Sequence, residues 1–566
     1  MGFKGIKSGG KGQTEIVNLK LCPDGALSVR EKRGRIRAFS DVGGIYADDT
    51  LAYVDCQRLY YGGMEISGIT LSPGEKKILK IGRFLLVFPD KVYVDLEDQS
   101  KCGQMSLTLS IPNLRMYPVN KNKTEIKINE VSEFPEDPVN STYYAIKQSD
   151  GSVVIKRFLN NAWQVCTPLV KMDSSKLINM VNVGDTVSID TLQNYIGEYA
   201  KVLSVDGGSI IVEGYINESR MFYTSTLTRY VPDFDFVTVS GNRLCGVRRG
   251  VDQSGRMVSK IYASAVGEPF NFIVGRGGCE ADVDVSGAFT GVCDYLGSPL
   301  AFSESELIET RIKNGSMIYT KVKGYGVERG AHESVASANG TVYYKTKSGI
   351  CVYDGSYPEK ILELSGSPLM TDMPAPAVYL NGKYRIKITD PSGSSRIYVY
   401  DEESDSFVTE DDPGVLWFAC RGQCIYAACE AGGEQSLMML NYESANALDR
   451  EYCSDKGFPI MESDIAWRLV GERVGQDSFG AVHPIRAVLR LEKPSGARVS
   501  IGVIYNAENR AEGVVSIDKE SFGAVTVPIS LRKCDHFRLS VEGLGECSIL
   551  GYAVQLCEGG LQNGWR

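Results

Sequence analysis

What most constrains this chain is a rhythm of short alternating runs, rich in β-branched and aromatic residues and broken by tight turns, from residue 229 to about 455. Asn339-Gly340, Ser348-Gly349 and Asn381-Gly382 each separate two such runs. Two-residue hairpin turns need backbone angles that Asn and Gly adopt at least cost. The recurring unit is an inner strand, a turn, and a later strand with a Tyr near its end. It returns at roughly 40–50 residues, a spacing typical of propeller blades. Val92-Tyr93-Val94-Asp95, Cys351-Val352-Tyr353-Asp354 and Tyr398-Val399-Tyr400-Asp401 mark equivalent strand ends. With one or two further units in residues 14–100, the pattern predicts an all-β fold built on a β-propeller of about six blades, or seven. A pair of stacked β-sandwiches competes, because closely spaced hairpins suit both.

At 566 residues the chain exceeds a single core. The rhythm divides it into four stretches. Residues 1–100 read as an N-terminal arm (1–13) and the first propeller strands, including a hairpin turned at Pro89-Asp90. Residues 101–228 break the rhythm with Pro112, Pro118, Pro135 and Pro138. That stretch then continues through Gly184-Asp185-Thr186-Val187, a segment of helical character, and strands joined at Asp206-Gly207-Gly208. It predicts an inserted β-rich domain of small-barrel type. Residues 229–455 carry the main propeller. Residues 456–566 alternate well over Ile485–Leu491, Val499–Tyr505, Val514–Ile517, Thr526–Ile529, His536–Val541 and Ser548–Leu556, which predicts a C-terminal β-sandwich.

Composition narrows the chemistry. The 60 glycines and 30 tyrosines suit many short strands joined by turns. A net charge of −9 argues against a protein that coats nucleic acid by neutralising phosphates. The 15 cysteines are scattered, with no CxxC pair and no His at zinc spacing, and read as reduced thiols of a protein assembled in a cytoplasm. The amino terminus is basic and Gly-rich, without the apolar core of a secretory signal. Its Met1-Gly2 start meets Ile6 where myristoylation wants Ser or Thr. No run is long and apolar enough to span a membrane as a helix.

Catalytic motifs are sparse. Any His-dependent site must use His332, His483 or His536. His332 lies between Glu328 and Ser334, which imitate a triad on paper, but no nucleophile elbow accompanies it; His536 reads as the start of a strand. Asp233/Asp235 and Asp282/Asp284 are carboxylate pairs that alternation places on one strand face, where a cation or solvent suits them better than acid catalysis. Neither the S-x-D-x-G-x-T-W box of sialidase-type propellers nor a Walker A loop occurs. The basic glycine segments at 246–250 and 274–278 read as solvated turns rather than phosphate cradles. The expectation is therefore no catalytic residue, no metal and no cofactor.

One stretch, Ser240–Phe272, carries a family likeness. It reads as a strand (Asn242–Val247), a basic loop (Arg248–Lys260), a second strand (Ile261–Ala265) and a Gly267-Glu268-Pro269 turn ending on Phe270 and Phe272. Asn242-Arg243-Leu244-Cys245-Gly246 and Ile261-Tyr262-Ala263-Ser264, followed by Gly267, Pro269, Asn271 and Phe272, resemble the propeller tail proteins of tailed bacteriophages, with Cys245 where the family often has Trp. Further phrases resemble the same family in order. They are Asn18-Leu19 with Asp24-Gly25-Ala26-Leu27 and Arg30 to Gly34 (Arg33 standing where Pro is common), Phe289-Thr290-Gly291 with Leu300-Ala301-Phe302, and Gly326 to Gly330 with Ser334-Val335-Ala336. Gly349 to Gly355 and Arg532 to Phe537 with Glu542-Gly543 complete the set. The likeness covers about three-quarters of the chain and leaves 101–228 unplaced.

The resemblance implies a structural virion protein, without catalytic turnover. It would be a nozzle or hub of a short-tailed phage, forming a homo-oligomeric ring, a hexamer, below the portal and adaptor. Other tail proteins or fibres would dock on it, and DNA would pass its channel without specific binding, along an acidic wall that lets it slide. Arg248, Arg249, Arg256 and Lys260 are then expected to contact a neighbouring subunit or tail protein. Two alternatives stand beside this reading: a propeller that binds or hydrolyses host-surface carbohydrate, and a hub or adaptor of a long-tailed phage.

Overall fold

A computed structural model of the chain describes residues 14–149, 151–190, 199–251, 256–363, 373–444, 457–475, 482–505, 511–528 and 534–558. It is an all-β protein: a β-propeller with an inserted small barrel and a C-terminal β-sandwich. The segment of helical character before Tyr199 lies outside the described residues. Two compact units emerge, one drawing on Met1–Ile78, Phe302–Glu306 and Lys323–Arg566, the other on Leu79–Ala301 and Leu307–Val322.

The first unit holds four blade-type sheets. One comprises Val42–Ala47, Leu51–Asp55, Arg58–Tyr61 and Met64–Glu65. A second comprises Ala336–Ala338, Thr341–Thr346, Gly349–Tyr353 and Glu359–Glu363. A third comprises Ala377–Leu380, Lys383–Thr389, Ser395–Asp401 and Ser406–Asp411. The last, Val415–Arg421, Cys424–Ala431 and Glu434–Met439, takes its fourth strand from Gly34–Phe39, some 400 residues earlier, with Gly34 opposite Met439 and Phe39 opposite Gln435. Asn339 and Asn381 adopt the left-handed backbone that their hairpins require.

The sandwich also borrows from the amino terminus. Glu15–Val17 joins Ala466–Val470, Phe537–Leu544, Arg498–Tyr505 and Glu512–Ile517 in one sheet. Leu19–Leu21 and Leu27–Val29 join Ser548–Glu558, Val482–Lys493 and Ser521–Pro528 in the other. Alternating residues from both sheets meet in one core that includes Trp467, Leu489, Ile501, Val503, Phe537 and Ile549, together with Ile16, Leu19 and Leu27. The Trp467 indole donates to the Gly545 carbonyl at 3.0 Å. Sequence reading gave residues 14–100 to the first propeller strands. The structure gives the first three strands to the sandwich, because their apolar side chains pack in its core, while Glu15–Val17 also pairs along its other edge with Ser406–Asp411.

Two buried arginines fasten this arrangement. Arg30 makes a forked pair with Glu462, Nη2–Oε1 2.6 Å and Nη1–Oε2 2.8 Å, and reaches Asp411 at 2.9 Å. Arg33 pairs with Glu410 at 3.1 Å and with Asp411 at 3.3 Å. Asn18 accepts from Arg30 Nε and donates to the Ala466 carbonyl. The residues of the Asn18-to-Gly34 phrase are thus the ones that pin the amino-terminal segment to a blade and to the strands that follow it.

The second unit holds three blade-type sheets and the insert. The sheets are Lys77–Ile81, Phe84–Phe88, Val92–Asp95 and Cys102–Gln104; then Phe236–Ser240, Arg243–Val251, Met257–Ala263 and Cys279–Asp282; then Gly291–Tyr295, Ser298–Phe302, Glu306–Lys313 and Ser316–Lys323. Across the two units the described residues form seven blade-type sheets, within the expected range. The insert is a closed six-stranded barrel of Ser106–Pro118, Leu169–Asp173, Ser209–Glu213, Ala200–Asp206, Thr186–Ile189 and Arg220–Tyr230, with a four-stranded sheet (Ile128–Glu130, Tyr143–Lys147, Val153–Leu159, Ala162–Cys166) set between its first two strands. Asp185 of the Gly-Asp-Thr-Val segment is buried in the barrel against Arg229, at 2.7 Å.

The arginine clamp has a pH signature. Burial alone raises the Asp411 and Glu462 carboxyls, but Arg33 and Arg30 outweigh it and hold both below the usual range. A depressed carboxylate pKa stabilises the fold above the unfolded value, about 4, and that stability is lost as pH falls through the folded value. Arg30→Ala empties a buried guanidinium site and leaves the partly buried Glu462 and the half-exposed Asp411 short of a partner, and is expected to cost about 1–3 kcal/mol in denaturant unfolding at neutral pH. The gap between variant and wild type should narrow as pH falls below 4; a gap independent of pH would contradict the clamp.

Candidate docking surface on the third blade

The blade of Phe236–Ser240, Arg243–Val251, Met257–Ala263 and Cys279–Asp282, third in chain order, carries the residues that the sequence singled out. Its inner half is structural. The Ser264 hydroxyl, fully buried, accepts from Leu244 N at 2.9 Å, and Asn271 Nδ2 donates to Glu268 at 2.7 Å and to the Arg276 carbonyl at 3.2 Å. Arg243 donates to the carbonyls of Ser264 and Gly277. Phe270 packs on Phe84 and Tyr93, and Phe272 on Phe234. Gly246 is required here because any Cβ would enter the Phe234 ring. The family phrase therefore builds the seam between the second and third blades.

The outer half departs from expectation. The basic segment is not a loop, since Arg248, Arg249 and Lys260 lie within paired strands and Arg248 stands opposite Lys260. Two like charges face to face disfavour pairing, and each is offset by an acid on its far side. Arg248 reaches Asp233 at 3.1 Å, and Lys260 reaches Glu280 at 2.9 Å and Asp282 at 3.4 Å. Asp235 accepts from Arg249 N at 2.7 Å, while the Arg249 side chain donates to the Gly287 carbonyl. On the adjoining blade Lys321 lies 3.8 Å from Asp284. Arg256 stands exposed at the start of the returning strand. Asp233, Asp235, Asp282 and Asp284 were visible in sequence only as isolated pairs and Glu280 was not singled out; strand register is what brings them to the basic residues.

Electrostatics follow this pairing. Burial would raise the Asp233 carboxyl, but Lys91 at 2.7 Å and Arg248 hold it below the usual range. Burial would lower the Lys260 ammonium, but the hydrogen bond and charge of Glu280, with Tyr262 and Asp282 nearby, together raise it. A cavity of about 440 Å³ lies between Arg249, Arg256, Met257, Asp282, Asp284 and Tyr319, among others. Apolar side chains stand open around it: Val251 is 60% exposed, Met257 52% and Ile318 57%. Charges matched internally and apolar groups in solvent suit a protein partner better than a phosphate. The segment at 274–278 is no anion cradle either, because the Arg276 and Gly277 carbonyls turn inward to Asn271 and Arg243.

The remaining candidates do not converge on a reaction. His332 Nε2 lies 3.6 Å from Glu333, which Lys77 holds at 2.8 Å, and burial lowers the imidazole pKa. Glu328 is wholly buried against Lys345, and the Ser334 hydroxyl donates to the Ala331 carbonyl while accepting from Lys345 N. Glu328 and Ser334 are engaged with Lys345 of the Thr341–Thr346 strand and His332 with Glu333, so the three do not form a triad. The strand expected to start at His536 starts at Phe537. The His483 side chain lies outside the described residues. Among the described residues no group of three His, Cys, Asp or Glu is placed to hold a metal ion.

No protein-family model matches the chain, and a comparison with curated proteins gives no match. Solved structures do align with it, loosely. The acylaminoacyl peptidase of Pyrococcus horikoshii is 12% identical over 76% of this chain, with a TM-score of 0.28, and the chain spans 58% of that protein's length. The exo-beta-1,3-galactanase of Phanerochaete chrysosporium is 8% identical over 76% of this chain and 97% of its own, with a TM-score of 0.19. The sialidase of Trypanosoma rangeli is 8% identical over 96% and 95%, with a TM-score of 0.23. The expectation of a chain without catalytic turnover is corrected at this point: the similar solved structures named here are enzymes. At these scores they pass on no substrate and no active residue.

The rim and the seam should respond differently to substitution. Arg248→Glu changes a half-exposed pair and is expected to shift unfolding free energy by less than about 1 kcal/mol. Gly246→Val drives a side chain into Phe234 and should cost about 1–3 kcal/mol. Chemical denaturation of both variants checks this; equal losses would make the rim part of the core.

Proposed function

We propose that this chain is a structural component of a bacteriophage tail: a nozzle or hub subunit that forms a ring below the portal and adaptor, encloses the DNA channel and docks other tail proteins. The observation that carries the proposal is the third-blade rim, where charges are matched internally and apolar side chains stand open, as a protein-binding surface requires. The ordered phrases resembling phage tail propellers support it, and they fall on residues that hold the fold together, Arg30, Gly246, Asn271 and Glu328 among them. The net charge of −9 is compatible with DNA sliding through rather than binding. Assembly in the host cytoplasm, a place in the virion and six copies per ring are parts of the same proposal. A hub in a long-tailed phage would use the same rim.

A second reading, a propeller that binds or hydrolyses host-surface glycan, takes its support from the galactanase and sialidase among the similar structures. Negative-stain microscopy of the purified protein, paired with a glycan-binding and glycan-cleavage screen, separates the two. The tail reading predicts closed rings and no saturable glycan signal. Single particles that bind or cleave a polysaccharide would replace it with the second reading.

A further inference from the structure

The third-blade rim runs on into the end strand of the next blade, Ser316–Lys323, through Tyr319, which lines the rim cavity. Among the described residues this strand has a neighbour on one side only, and its other edge offers backbone groups without a strand partner along eight residues. It carries two cations, Lys321 and Lys323, and no acid, with exposed Ile318 and Tyr319 beside them. The sandwich of the first unit presents the opposite character. Glu512–Ile517 and Ser521–Pro528 are the end strands of its two sheets and follow one another directly in the chain. Glu512, Asp518, Lys519 and Glu520 sum to a charge of −2 there, and Val514 and Phe522 are exposed, Phe522 by 70%.

We propose that the occupant of the Ser316–Lys323 edge is a second copy of this chain, which docks its acidic sandwich corner, Glu512–Phe522, on that edge. A six-residue strand fits within an eight-residue one, so the backbones pair along the shorter length. Lys321 and Lys323 then face Asp518 and Glu520, and the exposed apolar side chains of both edges are covered. The contact joins two different surfaces. Such a head-to-tail interface generates a ring when its rotation closes. It therefore rests on the ring reading above and gives that ring its interface.

Sedimentation velocity over a concentration series, on the full chain and its charge variants, tests this. K321E/K323E and D518K/E520K should each weaken self-association at least about tenfold, with thermal melting unchanged. Mixing the two variants sets opposite charges against each other at both contacts, native corner on native edge and reversed corner on reversed edge, and should recover the self-association that each variant alone has lost. If lysines at this edge only guard it against unwanted pairing, as edge lysines often do, both variants associate like wild type and the inference fails while the ring reading stands. If wild type stays monomeric at every concentration, the inference and the ring reading fail together.

Discussion

The clamp of Arg30 and Arg33 on Glu410, Asp411 and Glu462 is the interaction on which the first unit depends. A sheet edge is satisfied only when another strand covers it, and here the covering strands come from the far end of the chain. Gly34–Phe39 completes the last blade, and Glu15–Val17, Leu19–Leu21 and Leu27–Val29 complete the sandwich. Bringing segments together across 400 residues carries a closure entropy that short strands of three residues do not repay alone. The buried guanidinium groups, Arg30 forked on Glu462 and Arg33 shared between Glu410 and Asp411, add the direction and register that those short strands lack.

A similar economy recurs elsewhere. Glu328 and Lys345 form a buried pair beneath one blade, and Asp185 and Arg229 form another inside the inserted barrel. Removing either member of such a pair leaves a lone buried charge, which is why each position tolerates little change. The third-blade rim uses charge differently. Its pairs are half-exposed, individually weak, and screened by salt. They keep the strands Arg243–Val251 and Met257–Ala263 in register despite the facing Arg248 and Lys260, and leave a surface that is polar without strong net charge.

Much of the architecture was legible locally. Asn-Gly hairpins, alternating runs and Gly-Asp-Thr-Val marked blades, sandwich and barrel, because turn chemistry and two-residue periodicity are encoded by neighbours. What was not legible is long-range. Nothing near Glu15 or Leu27 says that their partners lie beyond residue 460, and a one-residue alternation cannot reveal which acid will face Lys260. The Arg248–Lys260 segment read as a loop because it is rich in Gly, Ser and charge; Glu280, Asp282 and Asp233 make most of it strand. The candidate site was legible as a set of residues but not as a balanced surface, since balance depends on strand register.

The most direct test of the account is a cryo-EM reconstruction of an intact tail that contains this chain. The account predicts copies arranged as a ring around a central channel, with the third-blade rim in contact with protein. Copies displayed singly at the particle periphery, with that rim open to solvent or occupied by a glycan, would contradict it.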